Sequence, residues 1–97
     1  MIKILVTLEV KNFDYLTLFE NKATDIMRSH NGHIISAFET IRNEDNSGQE
    51  VHLLEFPSNA SFKEYRVDPR FLEHAELRDK AINTTSIVIS RALKSYD

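Results

Sequence analysis

The sequence contains no cysteine, only two glycines and only two prolines. The first absence excludes disulfides, thiolate metal sites, iron–sulfur clusters and a cysteine nucleophile together. Two glycines are too few for a G-x-G-x-x-G dinucleotide loop, and neither a Walker nor a nucleophile-elbow pattern occurs. No apolar run approaches the ~18 residues of a membrane span. Met1 leads straight into strand-like residues, without the basic n-region and long h-region of a secretory signal, so a cytoplasmic protein with no membrane partner is expected. The 12 basic residues are scattered along a chain whose formal net charge is −3. They create no field that could gather phosphates, and no nucleic-acid partner is expected.

Ninety-seven residues make one domain, 1–97, and a domain of this size buries roughly 60–65% of its unfolded surface. With 41% hydrophobic and 28% charged residues, the composition is that of a packed globule rather than a disordered chain. No linker or repeat interrupts it, and the polar stretch RNEDNSGQ, residues 42 to 49, has the character of a turn.

Ile2, Ile4, Val6, Leu8 and Val10 alternate with Lys3, Leu5, Thr7 and Glu9, the period of a strand. Asn12 is a helix N-cap, and Phe13, Leu16, Phe19, Ala23, Ile26, Met27 and His30 then recur at three- and four-residue steps; Gly32 follows where a left-handed cap is favoured. His33 to Ile41 is a second strand, joined through the turn at Asn43–Gly48 to a third, Glu50 to Phe56, as a hairpin. Pro57 ends that strand, and Ser58 caps a short helix that carries Phe62 and Tyr65. Asp68 before Pro69 reads as an N-cap with proline at the first helical position, which predicts a new helix from Pro69 to about Ile82. Thr84 to Leu93 is β-branched and predicts the last strand.

The order β-α-β-β-α-β predicts an α+β, ferredoxin-like fold, with four antiparallel strands and both helices on one face of the sheet. The other face ought to be polar in a monomer. It carries instead Leu5, Phe38 or Ile35, Leu53 or Leu54, and Ile87 or Val88, depending on strand phase. A second copy of the same sheet is the simplest cover, so a homodimer burying about 1,200–2,000 Å² is expected.

The run Glu55-Phe56-Pro57, the aromatic Tyr65, the step Asp68-Pro69-Arg70-Phe71 and Arg78 together resemble the second half of small dimeric α/β-barrel proteins of the domain of unknown function 1330 type. There the pattern is a strand ending Glu-Phe-Pro, an aromatic pair, a Ser-Pro-x-Tyr step and an arginine on the next helix. The resemblance covers about residues 50 to 90. Glu64 stands where the first aromatic of the pair is usual, Asp68 replaces the serine and Phe71 the tyrosine. The resemblance implies a homodimeric barrel without an assigned role, whose wider relatives include cofactor-independent monooxygenases, small isomerases, haem-degrading enzymes and stress-responsive proteins. Arg78, Tyr65 and Phe71 are the ligand-binding candidates; no cofactor and no metal are expected.

Arg78 is the most informative position. Projected from Phe71 at 100° per residue, Ala75 and Ile82 lie at about 40° and 20°, with Arg78 at about −20° and His74 at about −60°, inside the apolar arc. A cation there requires a carboxylate, backbone carbonyls or an anionic ligand. Glu55, ending a neighbouring strand, is the expected partner of a purely structural ion pair. The functional alternative is that Arg78 holds a substrate carboxylate or enolate.

Among the histidines, His30 and His33 form an H-x-x-H, but a helix end and a strand start do not give helical ligand geometry. His52 shares its strand phase with Leu54 and Phe56. The candidates for a general base are His74, His52 and Glu55; by resemblance to haem-binding relatives, His74 is also a possible axial ligand. Competing functions of the same topology lack their residues: EVHLLEF carries no RNA-binding aromatic–basic pattern, and VKNFD has no arginine for an acylphosphatase cradle. Two readings remain. One is a dimer that binds a small molecule; the other is a cofactor-independent monooxygenase or isomerase acting on a small anionic or aromatic compound.

Overall fold

The structure is a computed structural model, and it describes residues 1–96. The elements are β1 (Ile2–Val10), α1 (Phe13–Ser29), β2 (His33–Arg42), β3 (Gly48–Phe56), α2 (Asn59–Arg66), α3 (Pro69–Leu72), α4 (Ala75–Ala81) and β4 (Ile82–Ile89). The sheet is antiparallel with strand order β2-β3-β1-β4. This is the ferredoxin-like arrangement that the element order predicted.

Local signals account for most boundaries. The Asn12 side chain accepts hydrogen bonds from the backbone N–H groups of Asp14 and Tyr15, which would otherwise be unpaired at the start of α1. Ser58 accepts from the Ser61 N–H, and Asp68 from the Arg70 N–H with Pro69 at the first helical position. Phe13, Leu16, Phe19, Ala23, Ile26 and Met27 form the buried stripe of α1. They pack on Ile4, Val6, Leu8 and Val10 of β1 and on Leu54 and Phe56 of β3.

Three expectations are corrected. The helix read as continuous from Pro69 to Ile82 is two short helices with a break at Glu73–His74, and β4 begins at Ile82 rather than Thr84 and ends at Ile89 rather than Leu93. The left-handed residue after α1 is Asn31, with φ of 60°, not Gly32. Gly32 is required for a different reason: a Cβ there would lie 2.3 Å from the Phe56 ring, so the aromatic ring occupies the space of the missing side chain.

Strand phase is settled by the register. Val88, Leu5, Leu53 and Ser36 are cross-strand neighbours in one row, and Ser86, Thr7, Val51 and Phe38 form the next. These rows face away from the helices. The register of β2 slips between Ile34 and Ser36, where Ile35 is the extra residue. Leu5, Phe38 and Val88 are exposed by 44%, 53% and 64%, and Ile35 is exposed as well. The sheet therefore presents an uncovered apolar surface at its centre, bordered at one end by the Lys3–Glu55 ion pair.

Candidate functional site

A cleft of about 470 Å³ lies on the helix side of the sheet, between the α2–α4 segments and strands β1 and β4. Its wall is largely aromatic and aliphatic. Tyr65 of α2 packs edge-on against Phe71 of α3 with centroids 4.8 Å apart, and Phe71 meets Phe19 of α1 at 5.8 Å. Ile87 of β4 and Leu72 of α3 extend the apolar lining. Burial raises the ionisation of the Tyr65 phenol far above its ordinary range, with Glu20 adding to the rise and Arg78 opposing it, so the hydroxyl stays neutral.

Arg78 enters this cleft from α4. Its guanidinium donates to the Thr85 hydroxyl of β4 at 2.8 Å. Among the described residues it forms no ion pair. The expected Arg78–Glu55 pair is absent for a simple reason. Strand alternation directs Glu55 to the opposite face of the sheet from Leu54 and Phe56, and it pairs there with Lys3 across β1. Glu55 thus cannot serve as a base in this cleft. A half-buried cation that holds one hydroxyl keeps most of its five donors for something else.

The other sequence candidates fall as follows. Tyr65, Phe71 and Arg78 all line the cleft. His74 lies at the α3–α4 break, where it precedes α4 without a side-chain capping bond, and it is not part of the cleft lining. His52 is 4% exposed on the helix side of β3, and its Nε2 lies 2.5 Å from the Glu50 carboxylate. His30 is joined to Asp68 at 2.7 Å, and Arg70 also binds Asp68 at 2.8 Å. Hydrogen bonds from the Arg70 guanidinium and, second, from the His30 ring hold the Asp68 carboxyl well below the usual range. This cluster ties the end of α1 to the start of α3, and so supports the rim of the cleft at Phe71.

Sequence reasoning missed Glu20, Glu50 and Thr85. Glu20 was within reach of the projection that singled out Arg78: measured from Phe13, it falls at about −20°, between Phe13 and Met27. It makes no side-chain hydrogen bond or ion pair among the described residues and lines a second depression of about 260 Å³ with Glu50, Glu39 and Arg42. Burial pushes the Glu20 carboxyl up; the His52 charge opposes this, Glu50 adds to it and Arg78 opposes it. In the unfolded chain Glu20 titrates in the ordinary range, so between the two values the native state binds more protons and stability falls as pH rises. Glu20→Gln is therefore expected to melt higher than wild type at pH 7. Thermal melts over a pH series should show the difference vanishing below the ordinary carboxylate range.

The chain's relationships agree with this architecture. The family model for a domain of unknown function, DUF1330, matches residues 4–92. The chain belongs to this family. No curated protein matches it. Among solved structures, a protein of unknown function from Rhodopseudomonas palustris is similar at 18% identity and a TM-score of 0.77, over 97% of this chain and 83% of that one. A protein from Agrobacterium tumefaciens is similar at 22% identity and a TM-score of 0.69, over 97% and 95%. A cofactor-independent oxygenase from Streptomyces nogalater is similar at 14% identity and a TM-score of 0.68, over 97% and 94%. At these identities the likeness concerns the fold. For the DUF1330 chain, it supports the α+β, ferredoxin-like arrangement of sheet and helices. No helix of the described residues is long and apolar enough to cross a membrane.

Proposed function

We propose that the protein is a homodimer that binds a small organic anion in the cleft beneath α3 and α4, with Arg78 as the anchor and Tyr65 and Phe71 as the apolar wall. The observation that carries this reading is an arginine without a carboxylate partner among the described residues, set in an aromatic-lined cleft. Burying a cation without compensation is costly, whereas an arginine meets a carboxylate with two parallel charge-assisted hydrogen bonds. A cleft of about 470 Å³ falls within the range of small-molecule sites. The second half of the proposal rests on the outward row Val88–Leu5–Leu53, in which Val88 and Leu5 are exposed and which a twofold partner would cover.

Arg78→Ala tests the anchor. With benzoate as the probe in isothermal titration calorimetry, affinity is expected to fall about 10- to 100-fold, the range for a lost charge-assisted bond. The melting temperature should stay close to wild type, since only one hydrogen bond, to Thr85, is lost. A large loss of stability with benzoate binding intact would mean that Arg78 merely joins helix to sheet.

One observation favours a second reading, a cofactor-independent monooxygenase or isomerase. His52 is fixed by Glu50 on the helix side of the sheet, and an imidazole oriented by a carboxylate can accept a proton from a substrate. Under that reading, oxygen uptake with phenolic acids is expected to disappear in His52→Gln while benzoate binding persists. Absence of any uptake by wild type would leave the binding role alone.

A further inference from the structure

The aromatic wall of the cleft contains one polar atom without a task. Tyr65 is 6% exposed, and its ring packs on Phe56, Phe62 and Phe71 with centroids 5.5, 6.4 and 4.8 Å away. A tyrosine buried to this extent normally finds a partner for its hydroxyl. Here the hydroxyl makes no hydrogen bond among the described residues. Nor is it sealed in the core, since no enclosed side-chain oxygen of the described residues lacks a partner. The hydroxyl therefore opens on accessible space, and the space that Tyr65 borders is the cleft that Arg78 also lines.

We propose, on the basis of the cleft reading, that the ligand is an oxo acid: its carboxylate meets Arg78, and its carbonyl oxygen accepts a hydrogen bond from the Tyr65 hydroxyl. Burial keeps the phenol neutral, so Tyr65 brings a proton to donate and no charge. A second carboxylate beside it would be buried among aromatic rings with one neutral donor as compensation, which is costly. A ligand hydroxyl could accept from the phenol or donate to it, but in either case one proton is left without an acceptor. A carbonyl oxygen brings no proton of its own and leaves neither group unpaired.

The neighbouring polar groups leave these two donors free for a ligand. Thr85 accepts one N–H of Arg78 at 2.8 Å, which directs the guanidinium while its other donors remain. His30 meets the Tyr65 ring edge-on at 6.3 Å, but its Nε2 is committed to Asp68 at 2.7 Å. Arg66 and Asp79 also line the cleft, and both are exposed to water. Phe71, Leu72 and Ile87 supply apolar surface. Such surface accepts any acid of suitable size, whereas a buried donor left without an acceptor discriminates against the acid that lacks the oxygen. Tyr65 is thus a specificity-determining residue: its ring is wall, and its hydroxyl reads the ligand.

Two measurements test this assignment. In the free protein, Tyr65→Phe is expected to melt at or above the wild-type temperature, because no bond within the chain is lost. A drop of about 4–8 °C, the effect of one lost hydrogen bond in a domain of this size, would mean that the protein itself holds the hydroxyl and would overturn the proposal. Calorimetry then compares acids that differ by one oxo group, phenylglyoxylate with phenylacetate and levulinate with valerate. In at least one pair the oxo acid is expected to bind wild type about 3- to 10-fold more tightly than its counterpart. That preference should vanish in Tyr65→Phe. A wild type without preference in either pair, or a preference that persists in Tyr65→Phe, would overturn the proposal. If none of these acids binds Arg78→Ala more weakly than wild type, the cleft reading on which the proposal rests fails instead.

Discussion

Leu5→Arg is expected to convert the proposed dimer into a folded monomer. Leu5 lies in the middle of the outward row, between Val88 on β4 and Leu53 on β3, and it is 44% exposed in the single chain. A charge at this position is therefore harmless to one chain by itself. In a face-to-face dimer with sheets about 10 Å apart, it would be buried twice, once from each copy. An unpaired buried charge costs about 3–5 kcal/mol, so the dissociation constant should rise at least about a hundredfold. Sedimentation velocity should show the monomer, and circular dichroism an unchanged fold. If Leu5→Arg sediments as wild type does, the interface lies elsewhere.

The second large effect concerns Gly32 and Phe56. Phe56 is fully buried, with its ring against Phe62 at 5.1 Å and Tyr65 at 5.5 Å. Removing it in Phe56→Ala is expected to cost about 3–5 kcal/mol, the range for a large aromatic in a core. Gly32→Ala attacks the same contact from the other side, because its new methyl would sit 2.3 Å from the ring. Overpacking of this kind typically costs about 1–3 kcal/mol. The two substitutions are not independent. In a Phe56→Leu background the methyl has room, and Gly32→Ala should cost less there than in wild type. Urea denaturation of the four proteins of that cycle measures the coupling directly. Additive costs would show that the ring does not occupy the space at Gly32.

The same contact illustrates how much could be read from sequence. Short-range features were legible: Asn12, Ser58 and Asp68 each form the cap that their residue type suggested, since a cap involves only two or three neighbouring positions. Strand alternation in Ile2–Val10 revealed both faces of β1, and hence the apolar outer surface. Features that depend on distant partners were not legible. Gly32 was read as a left-handed cap, but Asn31 takes that conformation one residue earlier, and the role of Gly32 depends on a ring 24 positions away. The break between α3 and α4 has no local proline or glycine to announce it. Arg78 stands out as anomalous in one helix projection, and the alternation Leu54-Glu55-Phe56 already separates it from Glu55, but its partner Thr85 depends on how α4 packs on β4, which no single element discloses. Glu20 needed only the projection that identified Arg78, applied to α1.

Native mass spectrometry of the protein purified from its producing cells tests the binding dimer most directly. The predicted result is a dimer that carries the discrete mass of a small acid, with that mass missing from Arg78→Ala. A monomer, or a dimer whose bound mass survives Arg78→Ala, would contradict it.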